Sequence, residues 1–258
     1  MARVSLKYSD SLDAYGLVIR AAELRTRFTP TDTAKSRELC EKAIALDPNY
    51  APAYAMLAWS HINDFTYFHP ARPEEAYQKA FDLASKAVAL DPSFGDGRRV
   101  LGRTLLYGRK HHQALAQCDE GLKANPNDAD LLAFSAVVYA WMGQPEEASQ
   151  RIKQAMRLNP YHPNWYWWTL GWAKYIARDY EGAIETLRQM SPMGAARRIL
   201  AASLAYLGRM EEARVEAEKC LKDDPSFSAS YWASRAPFLH ENDRQHAMEG
   251  FVKAGLPR

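Results

Sequence analysis

The feature that most constrains this chain is a fixed interval between proline pairs. Asp47-Pro48, Asp91-Pro92, Asn125-Pro126, Asn159-Pro160 and Asp224-Pro225 each close a helical pattern such as EKAIALDP or SKAVALDP. Pro92, Pro126 and Pro160 lie 34 residues apart, Pro48 to Pro92 is that interval plus 10, and Pro160 to Pro225 is two intervals minus 3. A proline pushes the residue before it out of helical conformation, and the Asx side chain bonds the turn that follows, so each pair ends a helix. A 34-residue period therefore holds two helices.

Within each period, small residues recur twelve, eight and five positions before the proline. They are Ala80, Ala84 and Ala87; Ala114, Cys118 and Gly121; Ala148, Ile152 and Ala155; and Ala213, Ala217 and Cys220. The i, i+4, i+7 spacing puts each set on one helix face, where a partner helix can approach closely. Leu101, Gly102, Ala114 and Pro126 in one unit, Leu170, Gly171, Tyr180 and Ala183 in another, and Leu200, Ala201, Gly208, Ala213 and Pro225 in a third resemble the tetratricopeptide repeat. The resemblance implies an all-α, right-handed superhelical solenoid of about seven helix-turn-helix units, about 14 helices in all. The expected layout is an N-terminal extension over 1–10 and a single solenoid over 11–258. Its units cover 11–50, 51–92, 93–126, 127–160, 161–192, 193–225 and a C-terminal cap at 226–258.

Four departures are expected. Extra residues around Phe28-Thr29-Pro30 and around His69-Pro70-Ala71-Arg72-Pro73 lengthen an inter-helix turn or the second helix, and Ser191-Pro192 stops the second helix of the fifth unit early. In the last unit, Arg235 stands at the usual small position and Pro237 breaks the first helix, as suits an end with nothing stacked beyond it.

Catalytic signatures are missing: the sequence has no GxSxG, no HExxH, no glycine-rich phosphate loop and no EF-hand series. The reading is a protein that is not an enzyme and needs no cofactor or metal. His111-His112 is the most tempting pair, but adjacent residues point apart, and solvated turn histidines are expected. Cys40, Cys118 and Cys220 form no CxxC and fall on buried repeat positions, so they act as small apolar residues. A net charge of +2 gives no basic excess for nucleic acid. The start, Met1 to Lys7, carries no apolar run, and no stretch of about 18 apolar residues occurs, so a cytoplasmic protein with no membrane contact is expected.

The resemblance further implies that first helices line a groove, with positions 2, 5, 9, 12 and 13 of each unit facing it. Those positions hold Trp59, Trp141, Trp165, Trp168, Trp172 and Trp232, together with Arg20, Arg99, Arg103, Arg198, Tyr107, Tyr175, Tyr206 and His240; Trp167 falls at core position 4. Six tryptophans would fill the largest apolar patch a monomer usually exposes, about 300–600 Å², so either a partner covers them or they pack between first helices. Arg99 and Arg103, one turn apart, can clamp a carboxylate or stack on a ring. Some family members hold a partner's terminal carboxylate through Lys and Asn at positions 5 and 9. Here those positions read Gly16 and Arg20, Ala55 and Trp59, Arg99 and Arg103, and that pattern is missing.

The function expected is a protein-interaction module, scaffold or regulatory segment, that takes a protein or peptide with acidic or aromatic anchors in this groove. The alternatives are a homodimerising module of a signalling protein, paired through the end unit or the 66–73 insertion, and a small-molecule receptor. LDAYGLVIRAAELRTRFTPTD, EKAIALDPNYAPAYAMLAW and the ending FVKAGLP are similar to the tetratricopeptide regions that follow bacterial class III adenylate or guanylate cyclase domains. No cyclase residues accompany them.

Overall fold

The computed structural model describes residues 11–27, 29–67 and 71–258, and among them finds fourteen α-helices and no strand. Contacts divide the chain after Pro126 into two compact units. The first contains α1 (Leu12–Arg27), α2 (Pro30–Leu46), α3 (Ala51–Tyr67), α4 (Pro73–Leu90), α5 (Gly95–Tyr107) and α6 (His111–Ala124). The second contains α7 (Ala129–Trp141), α8 (Pro145–Leu158), α9 (Asn164–Ile176), α10 (Tyr180–Leu187), α11 (Ala196–Tyr206), α12 (Met210–Asp223), α13 (Ala229–Arg235) and α14 (Glu241–Lys253).

The prolines work as the sequence implies. Asp47, Asp91, Asn125, Asn159 and Asp224 each cap the C-terminus of a helix in a non-helical conformation. The carboxylates of Asp47, Asp91 and Asp224 then accept the backbone N–H two residues on, at 3.0, 3.0 and 3.2 Å. Successive antiparallel pairs follow: in the first unit α1 on α2, α3 on α4 and α5 on α6, and in the second α7 on α8, α9 on α10 and α11 on α12. The small-residue face of each second helix is buried as expected, with Ala80, Ala84, Ala87, Ala114, Cys118, Ala148, Ile152, Ala155 and Ala213 fully enclosed. All three cysteines are buried free thiols.

Turns within the hairpins share one backbone device. The second residue after α5, α7, α9 and α11 takes positive φ: Arg109 at 60°, Gly143 at 70°, Arg178 at 66° and Gly208 at 77°. Glycine does this freely, whereas a side chain costs roughly 1–2 kcal/mol, so two of the four turns carry strain.

The insertions differ from expectation. Residues 28 and 68–70 lie outside the described residues, but α1 to α4 run 16 to 18 residues where α5 to α9 run 13 or 14. The ten residues added to the second hairpin thus lengthen both of its helices by about one turn each. α10 stops after eight residues, ahead of Ser191-Pro192, as read from the sequence.

The last hairpin departs most. α13 ends at Arg235, before Pro237, and its helix packing is against α14, while α14 packs on α11. The non-helical stretch 236–240 connects them, and the Leu239 N–H donates to the Trp141 carbonyl at the end of α7, 3.0 Å away. Residues 236–253 therefore lie across first helices of the second unit instead of extending the stack.

Candidate functional site

In the first unit the centre is Trp59, which α3 presents 5% exposed. Three guanidinium groups surround its ring: Arg25 from α1 at 5.3 Å from the centroid, Arg99 from α5 at 5.1 Å and Arg103 from α5 at 5.6 Å. First helices bring them together because they stack side by side, and because Arg99 and Arg103 sit one turn apart. Each such contact contributes about 0.5–2 kcal/mol, more as water is excluded. The ring N–H of Trp59 donates to both carboxylate oxygens of Asp96 at 3.3 Å, and Arg99 pairs with the same carboxylate through its Nε at 2.9 Å. Burial works against the Asp96 charge, but Arg99 and Arg25 outweigh it and hold its pKa below the usual carboxylate range.

Arg103 is different. It lies 5.3 Å from the rings of both Tyr67 and Tyr107, and its Nη2 donates to the Tyr67 hydroxyl at 2.8 Å. Its Nε is buried with no acceptor, and no carboxylate among the described residues pairs with it. Burial disfavours its charge, yet the tyrosines more than restore it, and its pKa stands above the usual arginine value. Tyr67, 37% exposed, marks where this cationic, aromatic stack meets solvent.

In the second unit the tryptophans gather into one cluster. Trp141 of α7 lies 4.8 Å from Trp172 and 6.4 Å from Trp168 of α9, 6.1 Å from Trp232 of α13 and 4.8 Å from Phe238. Trp172 is fully buried and Trp141 nearly so, and the Trp172 ring N–H has no acceptor. Arg198 of α11 stacks between Phe227 at 5.5 Å and Trp232 at 5.2 Å. A second cluster adjoins it: the Tyr175 and Tyr206 hydroxyls donate to the His246 carbonyl at 3.4 and 2.9 Å, and the Tyr180 hydroxyl meets His246 Nε2 at 2.8 Å. Burial, with Arg178 against the ring, pushes His246 down to about 3.

The expected groove residues thus separate into three groups. Trp59, Arg99, Arg103 and Tyr107 form the cationic stack. Trp141, Trp172 and Tyr175 are buried in packing between first helices and the C-terminal segment, and Trp168, Trp232 and Arg198 flank them half-buried. Trp165 is half-buried against Tyr166 at the start of α9, and Arg20 and His240 are exposed. Two expectations are corrected. Trp167 is half-buried, and Tyr166 takes the core place instead, fully buried with its hydroxyl on Asp130 at 2.8 Å. His111 is 3% exposed at the start of α6, its Nδ1 3.1 Å from the Arg109 carbonyl, while His112 alone of that pair is solvated. Sequence reading missed Arg25 and Tyr67, which sit off the expected groove positions, Asp96, which stands at position 2 of its unit but was not singled out, and Phe238, whose role depends on the chain turning back.

Among the described residues no group of His, Cys, Asp and Glu could hold a metal ion, and no helix is long and apolar enough to cross a membrane. Residues 105–166 match the family model of the tetratricopeptide repeat. No curated protein matches the chain. A thermophilic tetratricopeptide protein of Thermus thermophilus is 18% identical over 93% of this chain and 98% of its own, with a TM-score of 0.50. PilF of Pseudomonas aeruginosa is 17% identical over 83% and 93%, with a TM-score of 0.55. The Cut9–Hcn1 hetero-tetramer of the APC/C contains a chain 17% identical over 87% of this one and 46% of its own, with a TM-score of 0.65. At these identities the likeness is one of fold.

Proposed function

We propose that this chain is a non-catalytic protein-interaction module that takes a partner segment carrying an acidic residue beside an aromatic or apolar anchor on the first-helix face of α1, α3 and α5. The observation that carries it is Arg103: a half-buried guanidinium held between tyrosine rings, with a buried Nε donor unused and no carboxylate of its own. An incoming carboxylate would complete the hydrogen bonding of that group, and Tyr67 and Tyr107 would flank the neighbouring anchor. A fold of stacked helix hairpins suits the role, since it offers an extended face to a peptide or helix. The Cut9–Hcn1 hetero-tetramer is one case of a chain of like fold assembled with another. A regulatory segment of a signalling protein, as the cyclase-linked resemblance implies, is one setting for such a module.

Selection from a random peptide library on the intact protein tests the reading. Selected peptides are expected to share an acidic residue next to an aromatic one, and to bind Arg103→Gln at least tenfold more weakly at equal helicity. Peptides that bind the two proteins alike would overturn the assignment.

A further inference from the structure

We infer that the first-helix face of α7, α9 and α11 is a second binding surface, specific for a short non-helical segment with an aromatic anchor followed by an amphipathic helix, and that the chain's own residues 236–253 are its displaceable occupant. The inference is independent of the Arg103 reading.

The segment engages this face as a bound peptide would. Residues 236–240 form a non-helical connection, bent where the Phe238 N–H donates to the Ala236 carbonyl at 2.9 Å, and the Leu239 N–H donates to the Trp141 carbonyl, a main-chain bond between positions almost one hundred residues apart in sequence. Phe238 inserts 4.8 Å from Trp141 and 5.8 Å from Trp172, and is 4% exposed. α14 then crosses α11 with a narrow apolar edge, burying Ala247, Gly250 and Phe251 while most of its other side chains stay wet or half-wet. Gly250 sits where an added Cβ would come within 2.4 Å of the Tyr175 hydroxyl, so the helix lies directly on the tyrosines. An aromatic anchor followed by a one-edged helix resembles the docking of an amphipathic helix on an apolar face.

Two features mark the occupant as replaceable. It leaves the Trp172 ring N–H buried without an acceptor, a defect that a competing segment with a carbonyl or carboxylate at that point would repair. Its outer attachments are polar, with Arg178 bound to Asp243 at 3.4 Å and to the His246 ring. Elements held by few buried side chains and solvent-facing polar contacts open at lower free energy than a core.

Hydrogen exchange on the unaltered full chain is the first test. Amides of residues 236–254 are expected to exchange at least tenfold faster than those of α7, α9 and α11. Exchange of all four as one unit would overturn the inference. Then a fluorescent synthetic peptide of residues 236–256 is titrated into the full chain and into its Phe238→Asp variant. Binding at least tenfold tighter to the variant supports displacement. Equal or no binding to a helical variant would overturn it, and so would loss of helicity throughout the variant, since the segment would then be part of the core.

Discussion

The same repeat positions do opposite things in the two units. In α3 and α5 they hold one tryptophan beside two arginines, a third arginine joins from α1, and the stack ends at a half-exposed tyrosine. In α7 and α9 they hold tryptophans packed on one another and sealed by Phe238 from the same chain. Position in the repeat decides only that a side chain points toward the first-helix face. Whether it stays available depends on charge and on what else the chain brings there: like-charged guanidinium groups stay near water, whereas neutral rings bury whatever apolar segment can reach them.

The contrast can be broken by substitution. Trp172→Ala removes a fully buried ring and is expected to lower stability by about 3–5 kcal/mol in urea unfolding, far more than any change at the Arg103 edge. A loss under about 1 kcal/mol would show that the cluster is not core. Asp96→Asn leaves Arg99 without its carboxylate and weakens the hold on the Trp59 ring, at about 1.5–3 kcal/mol by the same measurement. If Asp96→Asn proved neutral, the stack would owe nothing to its internal ion pair.

Acid sharpens the comparison, since each unit holds a histidine whose pKa is strongly lowered. Burial, with Arg37 and Lys79 nearby, pushes His61 down to about 4, and His246 lies near 3. Both stay neutral in the fold and gain a proton on unfolding, so stability is intact above about pH 6.5 and falls as pH drops toward 4 for His61 and toward 3 for His246. Each histidine contributes a slope of at most about 1.4 kcal/mol per pH unit. Urea midpoints at about pH 7 and pH 5 measure it, and His246→Gln is expected to flatten the slope by about half.

The smallest effect concerns the turns. Arg109→Gly relieves a left-handed arginine and is expected to raise stability by about 1 kcal/mol in thermal unfolding. Arg178→Gly relieves the same strain but loses the contacts to Asp243 and His246, so its gain should be smaller. Equal gains would mean those contacts contribute little to anchoring α14.

Much of the fold was legible because it is written locally. Asx-Pro pairs and small residues at fixed spacing act within one hairpin, and the structure repeats them unchanged. The site was legible only in part. Arg99, Arg103 and Trp59 follow from repeat positions, but Arg25 and Tyr67 reach the stack from the ends of longer helices, and the insertion that lengthens α3 and α4 gave no hint of which helix would grow. Pro237 announced a broken helix. It could not announce where the freed segment would go, because that depends on the Trp141 carbonyl and on rings almost one hundred residues away. Tyr166 displaced Trp167 from the core for the same reason, since Asp130 on a neighbouring helix supplies its acceptor.

The buried cysteines carry a practical consequence. Burial pushes the Cys40 thiol up to about 12 and raises that of Cys220, so neither is a thiolate at neutral pH while its hairpin is closed. With Cys118 they stand on α2, α12 and α6, at both ends and near the middle of the chain. A thiol-reactive dye added to the native protein would label each only when its own hairpin opens, making the chain its own three-channel clock of local unfolding.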